Sequence, residues 1–164
     1  MKVLSKQRNS KMCIICGLDN EFGLRAPFYN MEDGSVMSKF RYDYRHQSYP
    51  ERVHGGLITA MLDEMGLRSL WAEEMNDETF GVTFSLETKF RKPVPYGVDL
   101  IGKGVIVKKT SRVFVTEAKI LDLDGNELAS ARLDYLKMDV GKIAAGTTVH
   151  DEMSYLIEDN VTDI

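Results

Sequence analysis

Bases are outnumbered in this chain, cysteine is scarce, and no long hydrophobic run occurs. The 164 residues carry 21 Lys and Arg against 25 Asp and Glu, a formal net charge of −4. A general nucleic-acid binder needs a basic surface for its phosphate contacts, so that class is set aside. No stretch approaches the length needed to span a bilayer, and the basic start (Lys2, Lys6, Arg8, Lys11) is not followed by an apolar run of signal-peptide type. A cytoplasmic protein without membrane association is expected. Internal repeats are missing, as are the Gly-x-Ser-x-Gly turn and the Ser-His-Asp set of a serine hydrolase. The only two cysteines form Cys13-x-x-Cys16, a redox or zinc spacing. A closed zinc site takes four ligands and nothing nearby supplies a second pair, while the βαβ context of a thioredoxin-like motif is absent. Packing is the role expected for the pair, with no metal site. His46 and His150 have no motif around them.

What is present suits one soluble core. At 43% hydrophobic and 28% charged, the composition is that of a globular domain, and the length is short for two. Three regions are expected: a basic N-terminal segment (1–12), a single domain (13–139) and a Gly/Ala/Thr-rich, then acidic, appendage (140–164) that is either loose or docked on a neighbouring subunit. Before the central helix, Leu24–Tyr29 and Val36–Tyr44 should pair around Glu32-Asp33-Gly34. After it, Val82, Phe84, Leu86, Thr88 and Phe90 alternate with Thr83, Ser85, Glu87 and Lys89, as a half-buried strand does. Val98–Lys108, Val113–Leu123 and Leu128–Met138 follow, the last two around the hairpin signal Asp124-Gly125. Strands joined by hairpins make an antiparallel sheet, and the helix must pack on it.

That helix carries the chemistry. From Leu57 to Trp71 it is apolar on nearly every side, so it should be enclosed by protein, yet Asp63 and Glu64 sit in its middle. A buried carboxylate costs several kcal/mol unless something pairs with it. Glu64 has Arg68 four residues later, in the order that favours an ion pair, whereas its own helix gives Asp63 no cation. Asp63 is therefore the acid free to act; the alternative is that it merely accepts hydrogen bonds from Thr59 or a neighbouring strand. Gly55 and Gly56 open the helix, where unpaired N–H groups and the dipole attract negative charge. Asp63 lies about 12 Å further along at 1.5 Å per residue. That reach is long for one substrate atom, so the donor and the carboxylate that share a site should come from two copies packed antiparallel. A homodimer is expected, with a homotetramer the further step.

These residues resemble a known family. His54-Gly55-Gly56 with an acid nine positions after the His looks like the hotdog-fold acyl-CoA thioesterases of the phenylacetyl-CoA (PaaI-like) and hydroxybenzoyl-CoA types. Cys13-Ile14-Ile15-Cys16-Gly17-Leu18-Asp19-Asn20 with Gly23-Leu24, His46-Gln47-Ser48-Tyr49-Pro50, Phe90-Arg91-Lys92-Pro93-Val94 and Asp122-Leu123-Asp124-Gly125 extend the likeness over residues 13 to about 139. The resemblance implies an α+β fold in which an antiparallel sheet of five to six strands wraps one long central helix. It implies hydrolysis of an acyl-CoA, with CoA part of the substrate and no separate cofactor. Gly55 N–H would hold the carbonyl oxygen, helped by Gln47, and Asp63 from the facing subunit would act as general base or nucleophile. Thr83 would orient the water or carboxylate, or is an ordinary strand Thr. His54 braces the start of the helix more readily than it serves as a catalytic imidazole. Arg91, Arg112 and Lys109, on two strand ends that could form one rim, are candidates for the CoA phosphates. Two other readings stand beside this one. A non-catalytic acyl-CoA sensor has no use for Asp63, and a dehydratase wants a His–acid pair at another spacing.

Overall fold

The computed structural model describes residues 1–75, 79–143 and 151–164. In chain order these form β1 (Val3–Lys6), β2 (Tyr29–Met31), β3 (Val36–Arg41), a 3-10 turn (Tyr44–His46), α1 (Gly55–Glu74), β4 (Phe80–Phe90), β5 (Asp99–Lys109), β6 (Val113–Leu121), β7 (Glu127–Met138) and the four-residue α2 (Val140–Ile143). All strands join one sheet in the order β1-β2-β3-β5-β6-β7-β4, every pair antiparallel. One long helix on one sheet is the expected architecture, but the sheet holds seven strands rather than five to six. The unexpected strand is β1, from the basic N-terminal segment. Among the described residues no helix is long and apolar enough to cross a membrane.

Local chemistry sets the element ends. The His54 side chain caps α1 and Met75, at φ 52°, closes it in the left-handed conformation. Gly34 (φ 78°) and Gly125 (φ 84°) take the positive-φ positions of the β2–β3 and β6–β7 turns. The first predicted strand fails over residues 24–28. Arg25 has φ 52°, and Leu24 and Ala26 donate their N–H groups to Ile14 and Ile15 instead of to a strand.

α1 packs across β5, β6 and β7. Met61, Leu62, Met65 and Leu70 are fully buried against Leu100, Phe114, Ile120 and Leu133, each worth about 1.5–3 kcal/mol. The approach is close because β5 offers glycine there. A Cβ added to Gly104 would stand 2.6 Å from both the Met65 carbonyl oxygen and Ser69 Oγ. Enclosure is incomplete on one flank: Thr59, Ala60, Asp63 and Leu67 are only half-buried. That flank lies toward β4, an edge strand whose outer side pairs with no other strand among the described residues.

β4 departs from simple alternation. Thr83 is opposite Tyr135 and Ser85 opposite Asp134, so Phe84 is the extra residue of a bulge. A bulge shifts the faces by one. Thr83 therefore turns toward α1, while Val82 and Phe84 turn away from the core and Phe84 is 61% exposed.

The N-terminal segment is built into the body through Arg68. This fully buried guanidinium bonds Glu64 Oε1 at 2.7 Å, the Arg8 carbonyl at 2.7 Å and Gln7 Oε1 at 3.3 Å, with the Phe28 and Trp71 rings over it. Residues 151–164 run along the same segment. Asn9 and Tyr155 exchange backbone hydrogen bonds, and Lys6 pairs with Asp159 at 2.7 Å. His150 lies outside the described residues.

Candidate active site

The structure separates the two helix acids as their spacing predicts. Glu64 is held by Arg68 at 2.7 Å. Asp63, half-buried, takes side-chain hydrogen bonds only from neutral groups among the described residues. Its Oδ1 accepts hydrogen bonds from the Thr83 hydroxyl at 2.8 Å and from the Tyr135 hydroxyl at 3.1 Å, and Tyr135 also reaches the Asp63 carbonyl at 2.8 Å. Among the described residues Asp63 Oδ2 has no hydrogen-bond partner and no cation pairs with the carboxylate. Burial raises its pKa above the ordinary Asp value, opposed by the two hydroxyls, and the neighbouring Glu64 charge adds to the rise. Thr59, weighed as a possible donor, bonds Thr88 instead, at 3.3 Å.

Two supporting residues escaped sequence reading. Tyr135 lies on β7 among the inward positions Ala129, Ala131 and Leu133, a place where a tyrosine hydroxyl needs a partner. Gly66, one turn after Asp63, makes room for it. A Cβ there would collide with the Tyr135 hydroxyl and stand 2.6 Å from Thr116 Oγ1.

The helix start forms a second centre. His54 Nδ1 accepts the Gly56 N–H at 2.9 Å, which fixes the neutral tautomer protonated at Nε2 and makes His54 a cap. The Gly55 N–H has no acceptor among the described residues, so the cap uses one donor of the first turn and leaves its neighbour. A cleft of about 410 Å³ opens here, lined by Gly55, Ile58, Phe90, Ser48 and the basic Arg52, Arg91 and Lys92. Gln47 is exposed beside it and bridges Val53 through its backbone. His46 is a buried brace, bonded to the Asp43 N–H and the Phe22 carbonyl.

Asp63 does not line this cleft, so on one chain the carboxylate and the Gly55 donor stay apart. The predicted basic rim also divides. Arg91 borders the Gly55 cleft, but Lys109 pairs with Glu73 at 2.5 Å and Glu74 at 3.5 Å, at the other end of α1. Arg112 sits in the β5–β6 turn close by, its carbonyl bonded to Lys137 N. A 20-residue helix is about 30 Å long, which is why on one chain these cations stand apart from Arg91. Arg52 and Lys92 stand where Lys109 and Arg112 were expected.

Residues 51–129, just under half of the chain, match the thioesterase superfamily. No curated protein matches. Among solved structures, the chain is similar to a thioesterase superfamily protein at 24% identity and a TM-score of 0.68, covering 76% of this chain but only 59% of that one. A thioesterase from Haemophilus influenzae aligns at 13% identity and a TM-score of 0.65, over 76% of this chain and 86% of its own. A phenylacetic acid degradation-related protein from Ralstonia eutropha JMP134 aligns at 22% identity and a TM-score of 0.61, over 69% and 85%. The chain therefore has the hotdog fold, an antiparallel sheet around one long helix, with α1 and strands β4 to β6 in the stretch that matches the thioesterase superfamily.

Proposed function

We propose that the protein is an acyl-CoA thioesterase of the PaaI-like kind, hydrolysing an acyl- or aryl-CoA to the free acid and CoA in the cytoplasm, as a homodimer that can pair into a tetramer. The observation that carries this reading is the Asp63 carboxylate, kept half-buried with hydroxyl partners only and one oxygen open. A structural acid is paired, as Glu64 is with Arg68. An unpaired one at elevated pKa is suited to taking a proton from water or attacking the carbonyl itself.

The half-buried stripe of α1 and the β4 edge supply the surface for a second copy. Antiparallel packing of two such helices brings one Gly55 beside the other chain's Asp63. The thioester carbonyl then sits at the Gly55 N–H, where the helix dipole steadies the charge of the tetrahedral intermediate, with the Gln47 amide as second donor. Thr83 and Tyr135 hold the carboxylate in place. Arg52, Arg91 and Lys92 face the CoA phosphates.

The test is thiol release from a panel of acyl-CoAs by the wild type and Asp63→Asn. Removing a general base or nucleophile should cost roughly 10²–10⁴-fold in kcat with no loss in Tm. Equal rates would remove Asp63 from the reaction. Binding without cleavage by the wild type would make the protein an acyl-CoA sensor.

A further inference from the structure

Among the described residues, the Cys13–Cys16 turn is a chemically loaded cluster that the proposed thioester site leaves unused, and its geometry is more than packing. Gly17 N–H donates to the Cys13 carbonyl at 2.8 Å, closing one helical turn that sets both thiols on one side. The turn leaves no room for a side chain after Cys16, since a Cβ on Gly17 would stand 2.6 Å from Cys13 N and 2.7 Å from the Met12 carbonyl carbon. The two Sγ atoms and a Glu64 carboxylate oxygen all lie within 4.8 Å of one another.

The two sulfurs are unequal. Cys13 is half-buried and reachable, and its Sγ accepts the N–H groups of Ile15 at 3.3 Å and Cys16 at 3.4 Å. Cys16 is 2% exposed, its Sγ 3.2 Å from Ser10 Oγ. The Cys16 thiol, helped by the two N–H groups, holds the Cys13 thiol down to about 7, against burial and the Glu64 charge 4.0 Å away. The nearby Cys13 sulfur, together with burial, pushes Cys16 up. A reachable thiolate beside a buried thiol is the division of labour that dithiol exchange requires.

The same cluster is poorly made for a metal. It offers three ligand groups among the described residues, and Glu64 is already bonded to a fully buried guanidinium. A divalent ion would be placed beside that trapped positive charge.

We propose that Cys13 and Cys16 form a redox-active dithiol, oxidised to an intrachain disulfide by low-molecular-weight disulfides, with Cys13 as the attacking thiol and Cys16 as the resolving one. Cys13 thiolate attacks one sulfur of R–S–S–R. The reagent bond breaks, a Cys13–S–S–R bond forms and the first RS⁻ leaves. The Cys16 sulfur then attacks the Cys13 sulfur, the second RS⁻ departs, and the thiol protons end on the two RSH molecules. Two electrons pass from the protein to the reagent. The proposal stands whether or not the chain hydrolyses thioesters.

The experiment equilibrates the reduced full-length chain with glutathione and glutathione disulfide at graded ratios, traps free thiols with a maleimide and maps the peptides by mass. The expected product has lost two hydrogens, links Cys13 to Cys16 and is reversed by dithiothreitol. In the reduced protein at pH 7, Cys13 should be alkylated at least about tenfold faster than Cys16, with half-maximal rate near that pH. Cys16→Ser should stop at a Cys13–glutathione adduct, and Cys13→Ser should form none. Two free thiols in the native wild type under excess glutathione disulfide, faster labelling of Cys16, or a stoichiometric zinc that masks both thiols as purified would each overturn the proposal; none of these depends on a variant folding.

Discussion

Asp63 and Glu64 are adjacent in sequence, yet they lead to opposite regions of the molecule. The Glu64 flank of α1 is closed by the chain itself: Arg68 beneath aromatic rings, Gln7 and Arg8 from the N-terminal segment, and the cysteine turn above it. The Asp63 flank faces the β4 edge of the sheet and is lined by hydroxyls. Burial of an acid is thus not the mark of function. Pairing is what distinguishes the two, because an ion pair commits a carboxylate to structure, whereas neutral donors hold it in place without neutralising it.

The contrast can be broken most forcefully on the structural side. Arg68→Met strands Glu64 beside a buried apolar site and should cost about 3–5 kcal/mol in urea unfolding, since removing one partner of a buried pair is far worse than removing both. Gly66→Ala should come next, at about 1–3 kcal/mol, because the added methyl displaces the Tyr135 hydroxyl; activity should fall with it. Asp63→Asn should move stability the other way, by up to about 1 kcal/mol near neutral pH. Its folded pKa is raised by burial, so the acid's favourable contribution is complete below the unfolded pKa and is lost as pH rises through the folded one. The gap between variant and wild type should therefore be small in acid and open with rising pH. The finest probe is Thr83→Val. It removes a hydrogen bond that favours the carboxylate, so the acid limb of the thiol-release profile should shift toward higher pH, with Tyr135→Phe shifting it the same way.

The comparison also shows what residue spacing can and cannot reveal. The Glu64–Arg68 pair and the His54 cap were foreseeable, because each follows from helix spacing or from a place at the helix start, whereas the Asp63–Thr83 contact was only implied by the family resemblance. The Phe84 bulge was not foreseeable, since it inserts one residue into an otherwise regular strand and changes which side chains face α1. Tyr135 and Gly66 meet only through tertiary packing and carry no local signal beyond an inward strand position and a helix glycine. β1 was hidden because four residues are too few for alternation to register, and its place depends on β2 and residues 151–164. The split of Arg91 from Lys109 and Arg112 reflects strand direction, which composition at strand ends does not reveal.

The central claim is that one copy's Asp63 works with the other copy's Gly55. Gly55→Pro removes the N–H while keeping a residue tolerated at the first helical position, and His54 before it already has the extended backbone a proline demands (φ −64°, ψ 131°). Asp63→Asn and Gly55→Pro proteins should each be nearly inactive alone. Mixed under conditions where subunits exchange, they should recover about a quarter of the wild-type rate, because half of the symmetric dimers become hybrids with one intact site. Exchange without any recovery of thiol release would contradict the shared site.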